Sequence, residues 1–196
     1  MKTQKTNSTR VALIALGTFL AALSMLVSCK DSSRKETTGS STEAKAPDID
    51  IHTAIVTENL EALKQHIAAG SNLNEKDPYG GSSPLISASV FGKTEAAKLL
   101  IEAGADLNFQ NNDGSTALHT AAFFCRPEIV QMLIDKGVDK TIKNKFGATA
   151  YESVATPFSD VKSAYDMMGK MLAPMGLVLH YPYIEKTRPE IAAVLQ

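Results

Sequence analysis

The stretch "STALHTAAFFCRPEIVQMLIDKGVDKTIKN", Ser115–Asn144, can be laid on "SSPLISASVFGKTEAAKLLIEAGADLNFQN", Ser82–Asn111, without a gap. Leu85 and Leu118 are 33 residues apart, and so are Ala88 and Ala121, Ile101 and Ile134, and Gly104 and Gly137. A fixed period of this length marks a repeat architecture. Upstream, "IHTAIVTENLEALKQHIAAGSNLNEKD" from Ile51 matches with a one-residue offset, which Gly81 accounts for as an insertion. Downstream, "GATAYESVA" from Gly147 starts a fourth unit, with Thr149 and Tyr151 lying 33 residues after Thr116 and Leu118.

Each unit reads as a helix-turn-helix followed by a polar loop. A short apolar helix carries small residues such as Ala121 and Ala122, which let a neighbouring helix approach closely. The longer second helix has Ile129, Val130, Leu133 and Ile134 at helical spacing. Gly104 and Gly137 stand where such helices end in a left-handed residue. Loops rich in Asn, Asp and Gly lead to the next unit. No unit can bury its apolar faces alone, so the units must stack into an all-α solenoid.

The unit resembles the ankyrin repeat, on "GSTALHTAA" (Gly114–Ala122), "GADLN" (Gly104–Asn108) and "GSSPLISAS" (Gly81–Ser89). The resemblance covers residues 48–156. Departures are Ala117 for the usual Pro, Cys125 for the usual Gly, and "GVDKTIKN", which lacks the Asn present at Asn74 and Asn108.

Residues 157–196 leave the pattern and are read as a helical cap or an insertion that completes the last repeat. "RPEIAAVLQ" (Arg188–Gln196) echoes "RPEIVQML" (Arg126–Leu133). Either Val161–Leu172 is the fourth unit's second helix and the end is an added cap, or about 29 residues interrupt the unit. The interruption is favoured, because Pro189 and Glu190 suit a helix's first turn and "IAAVL" supplies an apolar stripe.

The N-terminal residues read differently. Lys2, Lys5 and Arg10 precede the apolar run "VALIALGTFLAALSMLV" (Val11–Val27), which meets "LVSC" at Leu26–Cys29. The run is slightly short for a membrane span. Residues 1–28 resemble a bacterial lipoprotein signal peptide, which implies lipidation of Cys29 and anchorage to a bilayer in the cell envelope. Lys30, rather than Asp, follows Cys29 and favours the outer over the inner membrane by the same resemblance. Residues 29–47, polar and Ser/Thr-rich, read as a disordered tether of about 25 Å r.m.s. span. Loss of residues 1–28 removes three of 20 basic groups and none of 21 acids, taking the net charge from −1 to −4. Nothing there favours a nucleic-acid partner.

His119 sits in the Leu-His position of the repeat, where the resemblance implies a structural bond to Thr116 and nearby backbone; His52 is the equivalent in the first unit. His66 and His180 form no metal-ligand spacing. Cys125 takes the turn slot that Gly92 fills one unit earlier and reads as an inert, half-buried thiol. No nucleophile elbow, phosphate loop or paired carboxylate is present. The chain is therefore expected to be no enzyme, with no cofactor and no metal.

Ankyrin proteins vary their helix ends and loop tips to recognise partners. Mapped by the period, the candidate partner-binding residues are Val90, Phe91, Phe123 and Phe124 at helix ends, and Tyr79, Asn112, Asp113 and Phe146 at loop tips. An open row of Val and Phe would be an apolar groove. It is closed if one residue of each pair packs inward, or if the C-terminal insertion folds over it. The cluster "MMGKMLAPM" (Met167–Met175) reads as cap packing, or as an adaptable partner surface. The expected function is a monomeric, membrane-anchored protein–protein interaction module. Alternatives are an inhibitor or immunity protein, or stress-protection partner, of an envelope enzyme or toxin, and an enzyme with an unrecognised site in 157–196.

Overall fold

The structure is a computed structural model that describes residues 45–196. The expected signal peptide, Cys29 and nearly all of the tether lie outside the described residues. Helices α1 (Ile51–Val56) and α2 (Leu60–Ala68) form the first pair, α3 (Pro84–Phe91) and α4 (Thr94–Glu102) the second, and α5 (Ala117–Phe123) and α6 (Pro127–Asp135) the third. They are followed by α7 (Ala150–Ala155), α8 (Phe158–Leu172), a short 3-10 turn (Ala173–Met175) and α9 (Tyr181–Leu195). Among the described residues there is no strand. Helices α1, α3, α5 and α7 stack in one row and α2, α4 and α6 in a second.

The period is written most sharply in the caps. Asp50, Ser83, Thr116 and Thr149 stand 33 residues apart, and each side chain accepts the amide three residues on, at Thr53, Ile86, His119 and Glu152. Each satisfies a first-turn N–H that the helix leaves without a partner, an effect of about 1 kcal/mol. The one-residue offset of the first unit arises between α1 and α2, whose starts are one residue closer than those of α3 and α4. The extra glycine near Gly81 restores the register.

Between the two helices of each unit the chain needs one left-handed residue, supplied by Glu58 (φ 59°), Gly92 (φ 65°) and Cys125 (φ 54°). Successive units are tied by side chains as well. Asn74 accepts the Asp106 amide at 2.9 Å, and Asn108 accepts the Asp139 amide at 3.0 Å. The third unit has Thr141 instead, which bonds Asp139 locally, and the unit after it is off-pattern from Thr156 onward. The core runs through all units as Leu63, Leu85, Leu100, Leu118, Leu133 and Val154, each at most 2% exposed.

Helix α9 packs along α7 and reaches α5 and α6, in the way that α6 packs along α5 and reaches α4. It therefore takes the second-helix place in the fourth unit, and α8 with its turn is looped out before it. One expectation needs correction. Pro189 is not in a first turn: α9 begins at Tyr181, with Pro182 in its opening turn and Pro189 inside the helix. The buried stripe Ile184, Thr187, Arg188, Ile191, Ala192 and Leu195 spans Pro189, which itself faces solvent. Packing of that stripe holds the helix together across a residue that cannot donate a backbone hydrogen bond.

Candidate functional site

The row of helix ends reads from the sequence either as an open apolar strip or as one closed by inward packing or by the C-terminal insertion. Two observations close its centre. Phe124, the C-cap residue of α5, is 3% exposed, and its ring meets Phe123 edge-on at 5.2 Å. Phe124 is thus a core residue and not a partner-binding one. The Phe123 ring is covered by Tyr165 of α8, stacked at 4.3 Å with an interplanar angle of 14°. The Tyr165 hydroxyl donates to the Phe123 carbonyl, and Phe158 packs beside it at 5.7 Å. Tyr165 is fully buried and is the one buried residue of α8. Val90 and Phe91 are half-buried, with the Val90 carbonyl accepting from Arg126 Nη2 at 3.1 Å. The Phe123 part of the strip is occupied by the chain's own insertion.

The loop tips are the open surface. Asp77, Asn111 and Asn144 each fold their side chain back onto the tip. Asp77 accepts from Tyr79, Gly80 and Ser82, Asn111 from Asp113 and Ser115, and Asn144 from Phe146 and Ala148, all at 2.7–3.1 Å. Neighbouring tips are then laced through the backbone. The Asn112 amide donates to the Gly80 carbonyl and the Lys145 amide to the Asp113 carbonyl, both at 2.9 Å. Gly114, at φ 72°, is needed for this approach, because a Cβ there would stand 3.0 Å from the Lys145 nitrogen. Partial burial opposes ionisation of Asp77, but its three amide donors outweigh that and hold the carboxylate below its usual value. The result is a braced ridge carrying Tyr79 (86% exposed), Asn112, Asp113 and Phe146 (78% exposed).

Three of the histidines, His52, His66 and His119, are architectural. His119 bonds Thr116 Oγ1 through Nδ1 at 2.9 Å and the Ala148 carbonyl through Nε2 at 3.0 Å, joining the third helix pair to the next tip. Burial lowers its pKa, which keeps the ring neutral for those two bonds. His52 bridges Ser87 Oγ and the Glu75 carbonyl, both at 3.1 Å, and His66 bridges Ser71 Oγ and the Ile49 carbonyl.

Cys125 is 1% exposed, and its thiol donates weakly to the Ile184 carbonyl of α9 at 3.6 Å. Burial pushes the thiol up to about 11, against the opposing charges of Arg188 and Arg126, so no thiolate is present near neutral pH. Residues 157–196 hold a feature that sequence reasoning did not find, the buried Arg188. Its Nη1 donates to Tyr165 Oη at 2.8 Å, and its Nη2 to the carbonyls of Thr156 at 2.7 Å and Ser153 at 3.3 Å. It caps the end of α7 and pins α8 at once. A cleft of about 410 Å³ opens beside it, between α7 and α9. The repeat echo "RPEI" pointed at this arginine, but as a helix start. A further departure concerns the methionine cluster: Met167, Met171 and Met175 are 64%, 60% and 41% exposed, so these three are not cap packing.

The repeat has counterparts among known proteins. A profile of the family described as ankyrin repeats (3 copies) matches residues 51–144. The human DNA-binding protein RFXANK is 41% identical over 58 residues, which are 30% of this chain and 22% of that protein. The crystal structure of the ankyrin repeat domain of Bcl-3, a unique member of the IkappaB protein family, aligns with a TM-score of 0.51 at 31% identity. That alignment covers 53% of this chain and 45% of the Bcl-3 chain, so the chain spans less than half of either relative.

Proposed function

We propose that this chain, whose residues 51–144 are ankyrin repeats, is a non-catalytic protein-binding module held at a bilayer of the bacterial cell envelope through Cys29. The observation that carries the binding reading is the laced ridge of loop tips. Tyr79 and Phe146 stand almost fully exposed on backbone already fixed by side-chain and inter-tip hydrogen bonds. Rigid aromatic anchors lose little entropy on binding and are frequent in the energetic centres of interfaces. Asn112 and Asp113 lie between them and supply polar contacts.

The helix-end strip is a weaker candidate than its sequence suggested, since Phe124 is buried and Phe123 is covered. A DNA-binding role, as in the name of RFXANK, is not carried over: a net charge of −1 offers little phosphate neutralisation. Catalysis in residues 157–196 finds little support. Their buried polar centre is a donor network of Arg188 and Tyr165 in which Tyr165 is pushed up to about 12, and no general base stands in it. The lipid anchor is supported by the basic start, the apolar run and "LVSC". An inhibitory or protective partner of an envelope enzyme would use the same ridge.

Crosslinking and capture from envelopes test the ridge. The Tyr79→Ser/Phe146→Ser variant is expected to lose the partner that the wild type captures while keeping its helicity. Capture of the same partner at the same yield by the folded variant would rule the ridge out. For the anchor, Cys29→Ala is expected to move the protein to the soluble fraction; retention in the membrane fraction would refute lipidation as the attachment.

A further inference from the structure

We propose that the apex of the C-terminal insertion, from Met167 to Val178, dips into the boundary between headgroups and acyl chains of the bilayer and gives the protein a second membrane contact beside Cys29. The inference rests on the reading of Cys29 as the lipid anchor. The inner side of the apex is accounted for. Tyr165 is buried, Phe158 and Val161 pack on the core, and Leu177 is 5% exposed. The Leu177 amide donates to the Leu172 carbonyl at 3.2 Å and closes the turn. The half-buried Leu179 then lies against Gly169, where a Cβ would stand 3.1 Å from it. The segment after the turn is thereby folded back onto α8.

Those contacts fix what is left outside. Met167, Met171 and Met175 stay open to solvent, joined by Val178 (80% exposed), which alternates with the inward Leu177 and Leu179. Ala173 and Pro174 between them are exposed as well. Four of the eight large hydrophobic side chains exposed among the described residues therefore fall within one helix end and its turn. Exposed apolar surface gathered in this way marks a place where a protein or a membrane is met.

Three features favour lipid as what covers it. From Met167 to Ile184 the chain has no acid, although it carries 21 in all, while Lys170 and His180 are exposed beside the apolar side chains. Asp166, just before this stretch, is bonded by Lys162 at 2.9 Å and by the Tyr181 hydroxyl at 2.6 Å. A basic rim around apolar side chains suits a bilayer with anionic headgroups. Unbranched methionines adapt to a fluid surface and need no complementary shape, whereas the rigid aromatic anchors Tyr79 and Phe146 stand on the ridge. Lastly, the 16 residues from Cys29 to Lys45 extend to about 55 Å. The row from α1 to α7 spans about 30 Å at helix spacings of about 8–10 Å, so an anchored chain can lay its C-terminal end on the bilayer.

The test couples the mature chain, residues 29–196, to vesicles of phosphatidylcholine and phosphatidylglycerol through a maleimide lipid on the Cys29 thiol. Cys125, 1% exposed, does not compete for the maleimide. The anchor is thus supplied chemically, and the outcome is independent of lipidation in the cell, which the Cys29→Ala fractionation decides separately. The chain has no tryptophan, so Met171→Trp introduces a single reporter. Its emission is expected to shift to shorter wavelength on the vesicles and to be quenched when the acyl chains carry bromine. Tyr79→Trp, on the ridge, is expected to show neither effect. Adding Met167→Ser, Met175→Ser and Val178→Ser to the Met171→Trp chain is expected to abolish the quenching. An unquenched Met171→Trp reporter, which would leave the apex to a protein partner, overturns the proposal. So does equal quenching of Tyr79→Trp, or quenching that survives the serine changes. Should Met171→Trp lose its helicity, Met175→Trp takes its place and must be quenched; should the serine variant lose it, Val178→Ser alone must weaken the quenching, and an unchanged signal refutes the contact.

Discussion

Tyr165→Ala is expected to destabilise the C-terminal part of the protein by about 3–5 kcal/mol, the usual loss for a large buried aromatic. Tyr165 is the one buried side chain of α8, and through it the helix reaches Phe123, Phe158 and Arg188. Without that ring α8 keeps few attachments to the repeats. Stability in a solenoid is nearest-neighbour in character, so the loss should fall locally. Limited proteolysis should then cut between residues 157 and 180 while the helix pairs of residues 51–144 persist. A cleavage pattern like that of wild type, with an unshifted thermal midpoint, would show that α8 is held by something else.

The conservative variant Tyr165→Phe separates the ring from the hydroxyl. It keeps the stack on Phe123 and loses the bonds to the Phe123 carbonyl and Arg188. It also bears on alkaline stability. Burial pushes Tyr165 up to about 12 and Cys125 up to about 11, so both remain protonated in the fold where the unfolded chain ionises. A raised folded-state pKa stabilises fully below the unfolded value and is lost as pH rises through the folded one. Wild-type stability should therefore hold up to about pH 9 and fall as pH rises through 11 and 12. Tyr165→Phe should show a smaller fall over the upper part of that range.

Arg188→Ala is expected to cost a similar amount, about 3–5 kcal/mol, corresponding to a fall in thermal midpoint of about 10 °C for a chain of this size. Three acceptors would lose their donor, the part-buried carbonyls of Ser153 and Thr156 and the buried Tyr165 hydroxyl. A large fully buried side chain would also be replaced by a void. Arg188→Lys is the informative control. Lysine keeps the charge but has no planar fork, so it cannot serve α7 and α8 together, and about 2 kcal/mol should still be lost. Arg188 Nε has no partner, and no carboxylate forms an ion pair with Arg188 among the described residues. If Arg188→Met proved as stable as wild type, desolvation of the cation would outweigh its three bonds, and the arginine would not be what fastens α8.

The repeat was readable because each unit solves the same local problem. A capping oxygen at Asp50, Ser83, Thr116 and Thr149, a left-handed glycine at Gly70, Gly104 and Gly137, and leucines at Leu85 and Leu118 are set by neighbours close along the chain or one unit away. Such requirements recur with the unit and appear as a period. Tip residues such as Tyr79 and Phe146 were found by the same register, since a tip's position follows from its hairpin. Phe124 was misplaced because two adjacent phenylalanines at a helix end carry no mark of which ring turns inward.

Tyr165 and Arg188 lie outside the period, and their roles were not legible. Tyr165 meets Phe123 across 42 residues, and Arg188 meets Thr156 across 32, through contacts made once in the molecule. Val161–Leu172 and the echo of "RPEI" each read as a helix, and the echo favoured the second as the partner of α7, but on a helix start at Pro189 that the fold does not have. The order of caps, turns and apolar stripes along the chain was therefore enough for the solenoid and its exposed ridge. The closing of the Phe123 strip, the second-helix place of α9 and the outward face of the methionines arose in packing, where long-range side chains compete for one surface and the best-buried arrangement wins.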